Sequence, residues 1–204
     1  MKRFKLNTTS LDVCKVIVSS NPIKSITLAQ HKVGLNWSQK YPTSRMQKEH
    51  LLEAYAVRPM RLHRFSKREF LSESYSRVLR RLKGDEVLSV VSKVRTTSGE
   101  EMHIPLINFH PEGAFGLNEI KKALAYACQR KHGALLKSGR FYHYYGDFLL
   151  SQREWENFLG MFLIPVHLVH PSYVGHALKY GFNTLRLTPG KAYKSQTPRV
   201  TEVL

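Results

Sequence analysis

Residues 137–146 read Lys-Ser-Gly-Arg-Phe-Tyr-His-Tyr-Tyr-Gly, the most chemically distinctive stretch of this 204-residue chain. A Ser-Gly turn offers backbone N–H groups and a hydroxyl, and Lys137 and Arg140 flank it with positive charge. A strand opening at Phe141 puts Phe141, His143 and Tyr145 on one face, because side chains alternate along a strand. Ser138, Arg140 and His143 then form a set able to hold a nucleotide triphosphate, with His143 donating to a phosphate oxygen. The same stretch could instead stack bases on Tyr142 or Tyr144, or be a Tyr-rich strand packed against a helix.

A second group lies upstream. In Ile104-Pro105-Leu106-Ile107-Asn108-Phe109-His110, period two places Asn108 and His110 on one face. Arg77, Arg80, Arg81 and Lys83 make a basic cluster that either meets phosphates or is an ordinary solvated face. There is no P-loop, no G-x-G-x-x-G, no G-x-S-x-G and no H-E-x-x-H. His31, His50, His63 and His132 sit in stretches without paired ligands and read as surface or core histidines. No catalytic residue is assigned.

The elements that must position these groups follow from local signals. Gln47 to Ala56 reads as a short helix. Ser66-x-x-Glu69 and Ser151-x-x-Glu154 are capping boxes. The first opens a helix with Leu71, Tyr75, Val78 and Leu82 on one stripe, and the second opens a helix through about Leu163. Val87–Arg95 and Met102–Phe109 read as a hairpin across Thr97-Ser98-Gly99-Glu100. Leu117 to His132 reads as a helix capped by Gly133, and Ala134–Lys137 with Phe141–Tyr145 as a strand pair. Ser172–Tyr180 reads as a helix stopped by Gly181, followed by a short strand over Thr184–Thr188. The tail from Pro189 reads as loose.

Composition bounds the rest. Lysine and arginine number 32 against 15 aspartate and glutamate, a net charge of +17. Residues 1–83 carry +13 of it, an asymmetry that points to a polyanion, nucleic acid first. A hydrophobic content of 42%, with ten Phe and ten Tyr, excludes wholesale disorder. Cys14 and Cys128 match no C-x-x-C spacing and read as buried thiols in a reducing compartment. The longest apolar run, Phe158 to Val169, is interrupted by Gly160, Pro165 and His167 and is too short to span a bilayer. With no targeting segment visible, a soluble, cytoplasmic protein is expected. The predicted fold is α+β, a mixed sheet with flanking helices. A basic, mostly helical N-terminal extension (1–83) precedes the core (84–188), and a loosely ordered tail (189–204) follows.

The order of motifs resembles the archaeo-eukaryotic primase superfamily, whose catalytic core is related to the RRM, and in particular its short bacterial primase-like proteins. The pieces that carry the likeness are the strand ending Asn108-Phe109-His110, the helix after it, Ser138 to His143, the helix bearing Trp155, Leu168 to Leu178, and Gly181 to Arg186. The resemblance covers about residues 85–188, with no counterpart seen for the N-terminal third. By resemblance, Ser138 and His143 are similar to the nucleotide-contacting second motif, and Arg186 sits in a Leu-Arg pair like one found late in these domains. The family's first motif ends a strand with Asp-x-Asp and its third is an Asp after a hydrophobic run. Asn108, His110 and His170 stand at those positions.

That substitution bears on chemistry. Two-metal phosphoryl transfer needs anionic oxygens around hard Mg²⁺ or Mn²⁺. Asparagine offers a neutral carbonyl, and imidazole prefers softer metals. His110, His170 and Glu112 together are the alternative, a single transition-metal site. The expectation is therefore a nucleic-acid-binding primase-like protein, single strands favoured and DNA or RNA left open, with a nucleotide-sized pocket that has lost two-metal polymerase activity. Arg77, Arg80, Arg81, Lys137 and Arg186 are expected to meet nucleic acid, with Tyr142 and Tyr144 as stacking candidates. Two alternatives stand beside it: an active primase or nucleotidyltransferase using Mg²⁺ or Mn²⁺ in an unusual site, and a basic module that binds an acidic protein partner.

Overall fold

A computed structural model describes residues 4–32, 60–84, 86–128, 132–190 and 196–204. The helix expected over 47–56 lies outside the described residues. The first helix, α1 (Ser10–Ser20), starts where the Thr9 hydroxyl accepts from the Asp12 N–H, and it buries Val13, Cys14, Ile17 and Val18 on one face. Next come β1 (Ile23–Lys32) and β2 (Arg61–Ser66), an antiparallel pair. The Ser66 capping box forms as its spacing requires, with Oγ accepting from the Glu69 N–H and the Glu69 carboxylate accepting from the Ser66 N–H.

The single helix predicted after Ser66 is in fact two, α2 (Lys67–Leu71) and α3 (Ser76–Arg80). The break lies at Glu73, whose φ of 61° is left-handed, and Tyr75 folds back onto Phe70 with ring centroids 5.3 Å apart. The stripe is therefore split, with Tyr75 buried and Leu71 exposed. The N-terminal stretch, expected to be mostly helical, also holds a ten-residue strand. In β1, Ile23, Ile26, Leu28 and Ala29 are buried without strict alternation, so no period-two signal marks it.

The expected hairpin forms between β3 (Glu86–Thr96) and β4 (Glu101–His103), with Gly99 at φ 91° in the turn. Its second strand does not continue to Phe109. After Ile104-Pro105 the chain leaves that sheet and starts β5 (Leu106–Phe109) in another. Proline has no N–H for a ladder, which suits it to a point of transfer.

The remaining elements are α4 (Leu117–Ala127), β6 (Gly133–Ser138), β7 (Phe141–Gly146), α5 (Gln152–Met161), α6 (Pro171–Tyr180), β8 (Thr184–Arg186) and β9 (Arg199–Val203). The Ser151 capping box opens α5, and Gly181 at φ 68° ends α6. Helix α4 is shorter than predicted, and Gly133 lies in β6 rather than at a cap. The end of the tail is not loose either: β9 pairs with β6, a long-range partner that its Pro- and Lys-rich surroundings conceal.

Sheet one runs β2-β1-β3, and β4 and β8 both pair with the far edge of β3; sheet two runs β5-β7-β6-β9. The named pairings are all antiparallel, so the α+β class holds while the expected mixed sheet does not. Sheet two is covered on both faces. Leu106, Ala134, Leu136 and Tyr145 join the core of α1 and sheet one. Ile107, Phe109, Leu135 and Tyr144 pack on α4, α5 and α6. Among the described residues, no helix is long and apolar enough to cross a membrane.

Candidate functional site between the two sheets

Register decides which site residues meet. Asn108 lies opposite His143 in the β5–β7 pair, and Phe141 lies opposite Ser138 in the β6–β7 pair. His110, one residue past β5, stacks on Phe141 with centroids 3.9 Å apart and planes 9° from parallel. Asn108 and His110 thus share a face with Phe141 and His143, as alternation predicts. It is the face turned toward sheet one.

Sheet one supplies the facing cation. Arg186 on β8 is 6% exposed, and its Nη2 donates to Ser138 Oγ at 2.9 Å. Its Nη1 donates to the carbonyls of Thr188 and Gln196, and its own carbonyl accepts from the Tyr145 hydroxyl at 3.4 Å. Burial lowers the Arg186 pKa to about 10, which leaves it charged at neutral pH. Burial also raises the Tyr145 phenol well above its ordinary value, so that ring stays neutral. Arg186 is thus a buried cation holding the seam closed, rather than part of an outer basic face.

A second polar chain runs beside this seam, and the sequence reading missed it. The Asn183 amide donates to the Leu106 carbonyl at 2.7 Å and to the Tyr173 hydroxyl at 2.8 Å. The Asn183 backbone N–H donates to Ser92 Oγ, whose partner is His103 Nδ1 at 3.2 Å. His103 Nε2 reaches Gln152 Oε1 at 2.9 Å, and the Gln152 amide donates to Glu156. Because that last bond fixes Oε1 as an acceptor, His103 carries its proton on Nε2 and accepts from Ser92 on Nδ1. Burial holds the His103 pKa at about 4, and the ring stacks on Trp155 at 4.2 Å. The signal for these residues is long-range, since none sits in a short motif. The side-chain Oδ1 atoms of Asn108 and Asn183 are buried with no hydrogen-bond partner among the described residues.

Other predicted residues go elsewhere. Lys137 and Tyr142 face each other across β6 and β7 on the opposite side of sheet two, with Nζ 3.0 Å from the Tyr142 hydroxyl and 4.1 Å from its ring centre. Tyr144 is 1% exposed, its hydroxyl donating to the His132 carbonyl at 3.0 Å, so it has no ring face for a base. Arg140 is exposed in the β6–β7 turn, over the Phe141 ring. His170 caps α6, with Nδ1 accepting from the Ser172 N–H and hydroxyl, and Glu112 faces His167 at 3.8 Å. Among the described residues, no three of His, Cys, Asp and Glu gather to hold a metal, so the proposed trio of His110, His170 and Glu112 is not formed. Arg77 and Arg81 line a cavity beside α3, whereas Arg80 is exposed outside it.

No curated protein and no solved structure matches the chain. The model of one family, archaeo-eukaryotic primase 1D-like (AEP-like), matches residues 66–199. The match begins 19 residues before the resemblance noted from motifs alone, so it takes in α2 and α3 as well as the inter-sheet seam. With two thirds of its length matched, from the Ser66 cap to the first residue of β9, the chain belongs to the archaeo-eukaryotic primase-like family.

Proposed function

We propose that this protein binds single-stranded nucleic acid through an RRM-related primase-like core with a basic N-terminal extension, and that the seam opens at its partly exposed Asn108–His110–Phe141 end into a nucleotide-sized pocket without two-metal polymerase chemistry. One observation carries the reading: Asn108, His110, Phe141 and His143 share one face of sheet two with Ser138, whose hydroxyl accepts from the buried Arg186 cation of sheet one. In this family the Asp-x-Asp positions hold divalent ions. Here they hold a neutral amide and an imidazole, and the seam's buried charge is the Arg186 cation. Such a surface favours anionic phosphate and disfavours Mg²⁺.

The test is fluorescence anisotropy of a labelled oligonucleotide across a salt series, followed by nucleotide incorporation with Mn²⁺. Salt-sensitive binding without incorporation supports the proposal. Template-dependent incorporation, lost on His143→Ala, would replace it with an active enzyme. Failure to bind DNA or RNA at low salt would turn attention to an acidic protein partner.

A further inference from the structure

A second basic feature lies away from the inter-sheet seam. The edge strand β2 and the short α3 enclose a cavity of about 420 Å³ lined by Arg61, Arg64, Arg77 and Arg81, with His63 beside them and the buried Phe65 at its base. The four arginines are all exposed. Among the described residues none of the four guanidiniums donates a hydrogen bond or forms a direct ion pair, and the described cavity lining contains no carboxylate. Among the described residues two acids lie near, Glu69 and Glu86, each coupled electrostatically to one arginine, Arg77 and Arg61, without a direct ion pair. Glu69 is held by the Ser66 N–H and hydroxyl, and Glu86 by the Lys83 N–H and the Gln30 amide.

Four like charges in one cavity repel one another, and a folded chain tolerates that where a polyanion supplies the counter-charge. His63 is set in the same direction. Gln30 donates its amide to Glu86, so Gln30 Oε1 accepts from His63 Nε2 at 3.0 Å and fixes the ring. Burial and the Arg61 charge lower the His63 pKa. An anion in the cavity offsets the second of these.

We propose that this cavity seats consecutive backbone phosphates of a single-stranded nucleic acid, as a site separate from the seam. The occupant is a strand rather than a compact anion for two reasons. The guanidiniums come from two elements and open to solvent, and four separate forks suit successive single charges better than one small ion. Only α3 of the two walls lies inside the matched family region; Arg61, His63 and Arg64 precede it. This inference rests on the nucleic-acid reading above.

The experiment uses the full chain and a labelled, 5′-hydroxyl oligothymidylate. Arg61→Ala/Arg64→Ala/Arg81→Ala is compared with Lys24→Ala/Lys122→Ala/Arg153→Ala, which removes the same charge from exposed positions elsewhere. Each lost phosphate contact makes the salt slope shallower by about 0.7, so the cavity variant loses about 2 units of slope and about a hundredfold in affinity near 0.1 M salt. The control variant and an Arg→Lys version of the triple stay within a few-fold of the parent and serve if the alanine triple does not fold. If the parent binds and the cavity triple binds equally well with an unchanged slope, the cavity proposal is overturned while the nucleic-acid reading stands. If the parent itself does not bind, the broader reading falls first and takes this one with it. Inorganic tripolyphosphate displacing the oligonucleotide at equal charge concentration would make the cavity a small-anion site and overturn the strand assignment.

Discussion

Arg186 and Ser138, 48 residues apart, are joined by a 2.9 Å hydrogen bond in which a buried guanidinium donates to a buried hydroxyl. The bond ties β8 of sheet one to the β6–β7 hairpin of sheet two. Removing the guanidinium leaves Ser138 and the carbonyls of Thr188 and Gln196 without their donor. Arg186→Met is expected to lose about 3 kcal/mol in urea unfolding, and Ser138→Ala about 1 kcal/mol. An unchanged midpoint in Arg186→Met would show that the two sheets hold together without it.

His103 predicts an acid sensitivity. Its folded pKa of about 4 lies below the unfolded value of about 6.5, so between these limits the unfolded chain takes a proton that the folded chain refuses. Stability is full above about pH 6.5, falls as pH drops toward 4, and levels off below that, with at most about 3 kcal/mol involved. Chemical denaturation from pH 7.5 to 4 should show this slope, and His103→Gln should flatten it. A parent protein whose stability does not change over that window would contradict the assignment of a neutral ring.

Gly133 has a steric reason to be glycine. A Cβ there would lie 2.6 Å from Tyr144 Cε2 and 2.6 Å from the Tyr145 carbonyl oxygen. The backbone contact cannot be relieved by turning a side chain, so Gly133→Ala is expected to cost about 1–3 kcal/mol. Gly160→Ala, where a Cβ meets nothing within 4 Å, should be neutral or stabilising and serves as the comparison.

Asn108→Asp/His110→Asp places at this strand end the Asp-x-Asp pair that the resemblance to the primase superfamily implies there. The variant should lose stability without metal, because two carboxylates then face each other in a partly buried row. It should regain several degrees of melting temperature in millimolar Mn²⁺, while the parent does not respond. No Mn²⁺-dependent shift in a folded variant would mean that this strand end is not the metal position.

What could be read before the structure was local. Both capping boxes, the β6–β7 hairpin and the Gly181 stop depend on residues within four positions of one another, and each forms as its spacing requires. The same alternation placed Asn108 with His110 and Phe141 with His143. What escaped depends on distant partners. β9 is a strand because β6 is there to pair with it, and Ser92, His103 and Asn183 form a chain only once β4 and β8 have both come to β3. Tyr144 failed as a stacking candidate for a related reason: an aromatic-rich strand says nothing of which face the helices will cover.

The pairing of β1 with β3 runs from Ile23↔Thr96 to Lys32↔Glu86, across the point at residue 84 where composition alone would divide the chain. A fragment starting there would lose the neighbour of its longest strand. The exposed edge would carry Val87, Leu88, Val90, Val91 and Val94, a bare β-ladder of the kind that templates aggregation. The basic N-terminal stretch thus supplies a strand to the sheet of the region that the family model matches, and shields its longest strand from a second copy of the chain.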